Sequence, residues 1–200
     1  MDSWRRAVDR VRRGEWQPGD VRLGTTPALL RPLGLGPFDM VMSAGKIARA
    51  RREHPQLALA LWYDLPALLI SPSAAFASPR DDGTLVVCLA VVDAEGCPVI
   101  APVVRDDQRR RNVVLTVYGK QPSERSTGFE WIAAQLGRAH REGRPYFREE
   151  GFAGTEPKPE PAETASSPSA PIAAGGPAKP SRPILSISSK IKKRGDGDHE

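Results

Sequence analysis

The chain has 200 residues and 40% of them are hydrophobic, enough to bury one core of ordinary size but thin for two. Lysine and arginine total 29 against 24 acidic residues, and the net charge of +5 favours an anionic partner such as nucleic acid without requiring one. Two cysteines are too few for a disulfide framework or a cysteine-rich zinc site. No stretch is apolar enough for a membrane span or a secretory signal, so we expect a protein with no membrane partner that is cytoplasmic or is delivered into the cytoplasm of a target cell.

Near the start of the chain, the apolar spacing predicts two short helices. Trp4, Val8 and Val11 recur at helical spacing among arginines, which indicates an amphipathic helix. In LGTTPALLRPLGLG, Thr26 is positioned to cap a second helix and Gly34 to end it.

Two longer helices are predicted next. The segment SAGKIARARREHP predicts a helix from about Ser43 to His54, because the residue before Pro55 is pushed out of the α region. A leucine-rich helix over about 57–70 follows, and we expect an interruption near Pro66.

The pattern then changes to that of strands. TLVVCLAVV is a continuous apolar run, as expected of a strand that is covered on both faces. Pro98 and Pro102 predict that the second strand, CPVIAPVV, is an edge strand or a bulged one. RRRNVVLTVYGK, residues 109–120, is the third, and STGFEWIAAQLGRAHREG predicts a capped closing helix. The fold class is therefore α+β, with a helical N-terminal half packed on a small antiparallel β-sheet.

The composition divides the chain into three parts. Residues 1–19 hold the amphipathic helix and residues 20–150 the globular domain. Residues 151–200 turn to Pro, Ala, Ser and Gly up to about position 183, so we expect a disordered linker that cannot offset its ordering entropy by burial. The basic tail after it is either a solvated charge run or a short element that docks on a partner or tethers nucleic acid.

Alternation along the third strand separates an apolar face from a polar one. Val113, Leu115 and Val117 would share the apolar face, and Asn112, Thr116, Tyr118 and Lys120 the outward polar one. An ordinary exposed sheet face is the competing interpretation, because Thr and Tyr are favoured in strands by propensity alone.

The 43–54 helix carries a second polar stripe. Lys46, Ala50 and His54 are four residues apart, so two groups able to meet a phosphate lie on either side of a small residue, with Arg51 among the neighbouring arginines. An imidazole can act as acid or base near neutral pH, although a histidine at a helix end also interacts with the helix dipole.

Several segments in this order resemble the MuF-type C-terminal domain of phage and polymorphic-toxin proteins, a family of the barnase–EndoU–colicin–RelE-like nuclease superfamily. The segments are LGTTPALLRPLGLG, KIARARREHP, LPALLISPSAAFAS and NVVLTVYGK, within about residues 20–140. The resemblance implies a metal-independent endoribonuclease, often a toxin against cellular RNA or tRNA. It also implies RNA as partner and allows for an immunity protein.

The resemblance also implies roles for individual residues. His54, Thr116 and Tyr118 would be catalytic, with His54 transferring protons and the other two donating hydrogen bonds. By the resemblance, Lys46, Asn112 and Lys120 would bind the substrate. The charge beside them, and not the resemblance, adds Arg51 and Arg111 to the substrate-binding set, although the run 109–111 is also explained by a solvated charge run. No metal-ligand spacing or glycine-rich phosphate loop occurs, so no cofactor is expected. The alternative is a non-catalytic phage or prophage protein that uses the same fold in nucleic-acid binding or assembly.

Overall fold

The computed structural model describes residues 3–81 and 83–152, so the predicted linker and basic tail lie outside the described residues from position 153 onward. The described part contains four α-helices: α1 Ser3–Arg13, α2 Ala44–Glu53, α3 Leu59–Ile70 and α4 Gly128–Arg141. A 3-10 helix spans Ala28–Leu33. The strands are β1 Asp20–Thr25, β2 Asp39–Ser43, β3 Ala74–Ala77, β4 Thr84–Val92, β5 Pro98–Asp106, β6 Arg111–Val114, β7 Tyr118–Gly119 and β8 Tyr146–Arg148.

The strands form one sheet in the order β1-β2-β6-β5-β4-β3-β8, and β7 pairs with β5 beyond the end of β6. The β2–β6 pair is parallel and the other pairs are antiparallel. The α+β class is confirmed. A purely antiparallel small sheet is wrong, and a helical N-terminal half is not confirmed, because β1, β2 and β3 lie among the first helices.

Both faces of the sheet are covered, as the continuous apolar run of β4 predicts. Leu85 and Val87 belong to the larger core cluster, which includes side chains of α1, α2 and α3. Val86 and Cys88 belong to a smaller cluster with the α4 side chain Ile132. Alternate residues of one strand therefore serve two separate apolar layers, one on each side of the sheet.

The predicted helix α2 is confirmed with its caps. Ser43 precedes it, and its Oγ accepts a hydrogen bond from the backbone N–H of Lys46 at 3.3 Å. His54 follows its last turn, and the His54 N–H donates to the Ala50 carbonyl at 2.8 Å. The local sequence alone therefore fixes where the Lys46–His54 stripe begins and ends.

Two other expectations about the helices are wrong in detail. Helix α3 runs through Pro66 without interruption. Thr26 does not cap the 3-10 helix; its hydroxyl donates to the carbonyl of Phe38, the residue before β2, at 2.7 Å. Gly34 does end the helix, in the left-handed conformation with φ 106°.

Strand β5 lies in the interior of the sheet, and the extra residues at its irregular pairings belong to its partner strands. Both alternatives for its prolines, an edge strand and a bulged strand, are therefore wrong. Pairing with β6 ends at Val103 opposite Val114, and pairing with β7 resumes at Ile100 opposite Tyr118. Two residues of β5 therefore face three residues, 115–117, across the gap. One extra residue reverses the alternation of side chains between the two faces of a strand.

We predict that ionisation of the Cys88 thiol destabilises the fold at high pH. Burial raises the pKa of Cys88 well above the ordinary thiol value of 9.0. The unfolded thiol loses its proton above that value while the folded one keeps it, so the free energy of unfolding falls as pH rises past 9.0. The slope due to this group approaches about 1.4 kcal/mol per pH unit.

Urea unfolding of the wild type and Cys88→Ala at several values between neutral pH and pH about 10.5 measures this contribution, since that range crosses the ordinary thiol pKa. The alanine variant is expected to lose less stability over the alkaline part of that range. Parallel curves for the two proteins would contradict the prediction.

Candidate functional site

One cleft brings together α2 and the bulged segment between β6 and β7. It encloses about 410 Å³, within the range of roughly 300–1,000 Å³ typical of ligand sites. Its lining comprises Lys46, Arg49, Ala50, Glu53 and His54 from α2 and its cap, and Leu115, Thr116 and Tyr118 from the bulge and β7. Four site residues predicted from the sequence therefore line the same cleft: Lys46, His54, Thr116 and Tyr118.

His54 and Tyr118 are in direct contact across the cleft. Their rings stack with centroids 5.6 Å apart and planes inclined by 28°. His54 is held by its backbone hydrogen bond at the end of α2, and Tyr118 by its pairing with Ile100 of β5. The imidazole therefore stacks on a ring whose backbone is paired into the sheet.

Burial shifts the pKa values of two cleft residues in opposite directions. Desolvation lowers the pKa of Lys46, and its ammonium group has no carboxylate partner within residues 3–81 and 83–152. Desolvation raises the pKa of Tyr118, and the nearby Arg80 guanidinium partly offsets that rise. The cleft thus offers a cation that gains from an anionic ligand and a phenol that keeps its proton as a hydrogen-bond donor.

Arg49 and Glu53 are cleft residues that the sequence analysis did not assign. Arg49 Nε donates to Glu53 Oε1 at 2.8 Å, an exposed pair four residues apart on α2. The signal for them was present, because positions 46, 49, 50, 53 and 54 all fall on one helical face. Glu53 therefore adds a carboxylate to the same cleft lining as His54.

Asn112 does not share the polar face predicted for it, and that part of the expectation is wrong. Its side chain is fully buried, and its Nδ2 donates to Thr26 Oγ1 at 2.6 Å and to the Gly36 carbonyl at 2.8 Å. The bulge at 115–117 explains the error: Asn112 and Val114 point into the fold before it, while Thr116 and Tyr118 face the cleft after it.

Three other predicted substrate contacts lie away from the cleft lining. Lys120 Nζ sits 4.9 Å from the centre of the Trp131 ring, on the α4 side of the sheet. Arg111 forms ion pairs with Asp106, at 3.0 Å, and with Asp20.

Arg51, the third of these residues, lies near Tyr63. A hydrogen bond from the phenol to Asp9 is the main cause that raises the pKa of Tyr63, and the nearby Arg51 acts against that rise. Of the five predicted substrate contacts, the structure places Lys46 alone in the cleft lining.

In the described part of the chain, one group of three potential metal ligands occurs, and it lies outside the cleft. Ligand atoms of Asp93, Glu95 and Cys97 lie within 4.8 Å of one another on the turn between β4 and β5. Asp93 Oδ1 accepts hydrogen bonds from the backbone N–H groups of Glu95 and Cys97, both at 2.9 Å. These two hydrogen bonds stabilise the turn and bring the three side chains close together.

Fold and site together describe an α+β domain with a basic cleft between a helix and a bulged strand. Residues 46–140 match the family model of the phage MuF C-terminal domain, which confirms the resemblance for this segment, just under half of the chain. The match contains all eight residues of the cleft lining. Comparisons with curated proteins and with solved structures give no significant match. None of the described helices has the length and apolar character needed to cross a membrane.

Proposed function

We propose that the protein is a metal-independent endoribonuclease of the toxin type, cleaving RNA, with tRNA as one candidate target, by attack of the ribose 2′-hydroxyl. The observation that carries the proposal is that Lys46, His54, Thr116 and Tyr118 line one cleft. These side chains supply a cation, a proton carrier and two hydroxyl donors. Cleavage without a metal requires these kinds of group around the reacting phosphate.

Proton transfer would use the imidazole and the carboxylate at the end of α2. Glu53 would accept the proton of the 2′-hydroxyl as its oxygen attacks phosphorus. The bond from phosphorus to the 5′ oxygen would then break, and protonated His54 would give its proton to that oxygen. The products would carry a 2′,3′-cyclic phosphate and a free 5′-hydroxyl.

The remaining cleft residues would stabilise the charge that develops on phosphorus. Lys46 would approach the phosphate oxygens, because binding an anion offsets the desolvation that lowers its pKa. Thr116 and Tyr118 would donate hydrogen bonds to phosphate or ribose, and the raised pKa of Tyr118 keeps its hydroxyl protonated. Asn112 would act from a distance by holding β6 against the segment around Thr26.

A non-catalytic phage protein that binds nucleic acid or assists assembly is the alternative. It is favoured by the match to a phage domain, whose description names no reaction. Both functions predict affinity for RNA that weakens as salt rises, because phosphate contacts release counterions. Cleavage separates them. As a toxin, the protein would also require an immunity partner in the cell that makes it.

We predict that the purified protein cleaves total RNA in EDTA and leaves 2′,3′-cyclic phosphate ends. Thr116→Ala should slow this reaction by roughly ten- to a thousandfold, since it removes one donor to the charged phosphorus centre. His140→Ala serves as the matched control, because His140 is exposed on α4 and its ring contacts Tyr146. Intact RNA with the wild-type protein, together with salt-sensitive binding, would favour the alternative function.

A further inference from the structure

A second groove lies on the other side of the first turn of α2. It encloses about 480 Å³ between α1, the segment that follows it, β1 and the start of α2, and Arg6, Arg10, Trp16 and Ala44 are part of its lining. Ala44 lines this groove and Lys46 lines the cleft. Because residues two positions apart point in directions about 200° apart around an α-helix, the groove and the cleft lie on opposite sides of the same turn.

Among residues 3–81 and 83–152, no carboxylate neutralises the positive charge of the groove. Arg6 and Arg10 are exposed and four residues apart along one stripe of α1, and in the part of the chain that the structure describes neither guanidinium has an acidic partner. The neighbouring Arg5, by contrast, pairs with Asp64 at 2.9 Å. The groove-facing arginines are therefore available to an anionic ligand.

An aromatic side chain stands beside these charges. Trp16 is 38% exposed, unusual for so large an apolar group. One edge of its ring packs over Gly45, since a Cβ there would lie 3.7 Å from two of the ring atoms. Gly45 lies between Ala44 and Lys46, so the indole lies beside the turn of α2 that a nucleic-acid chain would cross between the groove and the cleft.

We propose that this groove is a binding site for single-stranded RNA next to the cleavage site. One base would stack on Trp16, and neighbouring phosphates would pair with Arg6 and Arg10. Stacking on an exposed aromatic ring together with unpaired cations is how proteins hold unpaired nucleic acid without reading its sequence. The inference rests on the proposed function in taking RNA as the substrate, but it concerns binding and not cleavage.

The test measures binding of a short fluorescein-labelled 2′-O-methyl RNA to the full chain by fluorescence anisotropy. This probe lacks the attacking hydroxyl and cannot be cleaved by the proposed route. Trp16→Ala should raise Kd by roughly 5- to 100-fold, and Trp16→Phe should restore most of the affinity because it keeps a stacking surface. Arg6→Gln combined with Arg10→Gln should reduce the slope of log K against log salt by about 1.4.

Arg12→Gln is the matched control. Arg12 is an exposed arginine of the same helix outside the groove lining, and it should leave Kd within about twofold. Wild-type affinity in both Trp16→Ala and the double arginine variant would overturn the inference, even if the protein cleaves RNA. Loss of affinity in these variants would uphold it, even if the wild type cleaves nothing. No binding of the probe by the wild type would also overturn it.

Discussion

Replacing His54 with alanine is expected to lower kcat for RNA cleavage by about 10²–10⁴-fold, the usual contribution of a positioned acid or base. The affinity for uncleavable RNA should change by less than about fivefold, because His54 is proposed to act in the transition state and not in ground-state binding. Single-turnover cleavage rates and anisotropy titrations measure the two quantities separately. His54→Gln should not restore the rate either, because glutamine has no ring that could stack on Tyr118 as the imidazole does.

His140→Ala controls for the loss of a histidine as such, since His140 lies on α4 outside the cleft lining. A wild-type rate in His54→Ala would show that His54 does not carry the proton. Equal losses of kcat and of RNA affinity would instead indicate that His54 holds the ligand in place.

Replacing Asn112 with alanine is expected to destabilise the fold by about 2–4 kcal/mol. The amide is fully buried and donates to Thr26 and to the Gly36 carbonyl, and each buried partner left unsatisfied costs about 1–3 kcal/mol. Urea unfolding measures the loss directly. Arg109→Ala, at a highly exposed position on the loop before β6, should stay within about 0.5 kcal/mol of the wild type.

A double-mutant cycle with Thr26→Ala separates the amide contact from general effects of the substitution. The two changes should be non-additive by more than about 0.5 kcal/mol, because they remove opposite ends of one hydrogen bond. If Asn112→Ala leaves the stability unchanged but weakens RNA binding, the result would contradict this account and indicate that Asn112 contacts the substrate directly.

Features with local causes were predictable from the sequence. Helix α2 begins at the capping Ser43 and ends before Pro55, and both signals lie within its own segment. The same helical face that predicted Lys46 and His54 also contains Arg49 and Glu53. The spacing of α2 was therefore sufficient to find one wall of the cleft.

Features that depend on distant pairing were not predictable in this way. Strand β2 is short, and its parallel pairing with β6 joins segments about seventy residues apart. The bulge at 115–117 arises because β6 and β7 share one partner strand, β5, with different registers. Strict alternation along 109–120 therefore placed Asn112 on the wrong face, while the positions of Thr116 and Tyr118 were correct.

The central claim is that the scissile phosphate binds between α2 and the segment 115–118, and an NMR titration with a dinucleotide lacking the 2′-hydroxyl tests it most directly. We predict that the largest chemical-shift changes fall on Lys46, His54, Thr116 and Tyr118, with the ring protons of His54 among them because the Tyr118 ring lies 5.6 Å away. Shifts confined to other surfaces, such as the one around Lys120 and Trp131, would contradict the claim.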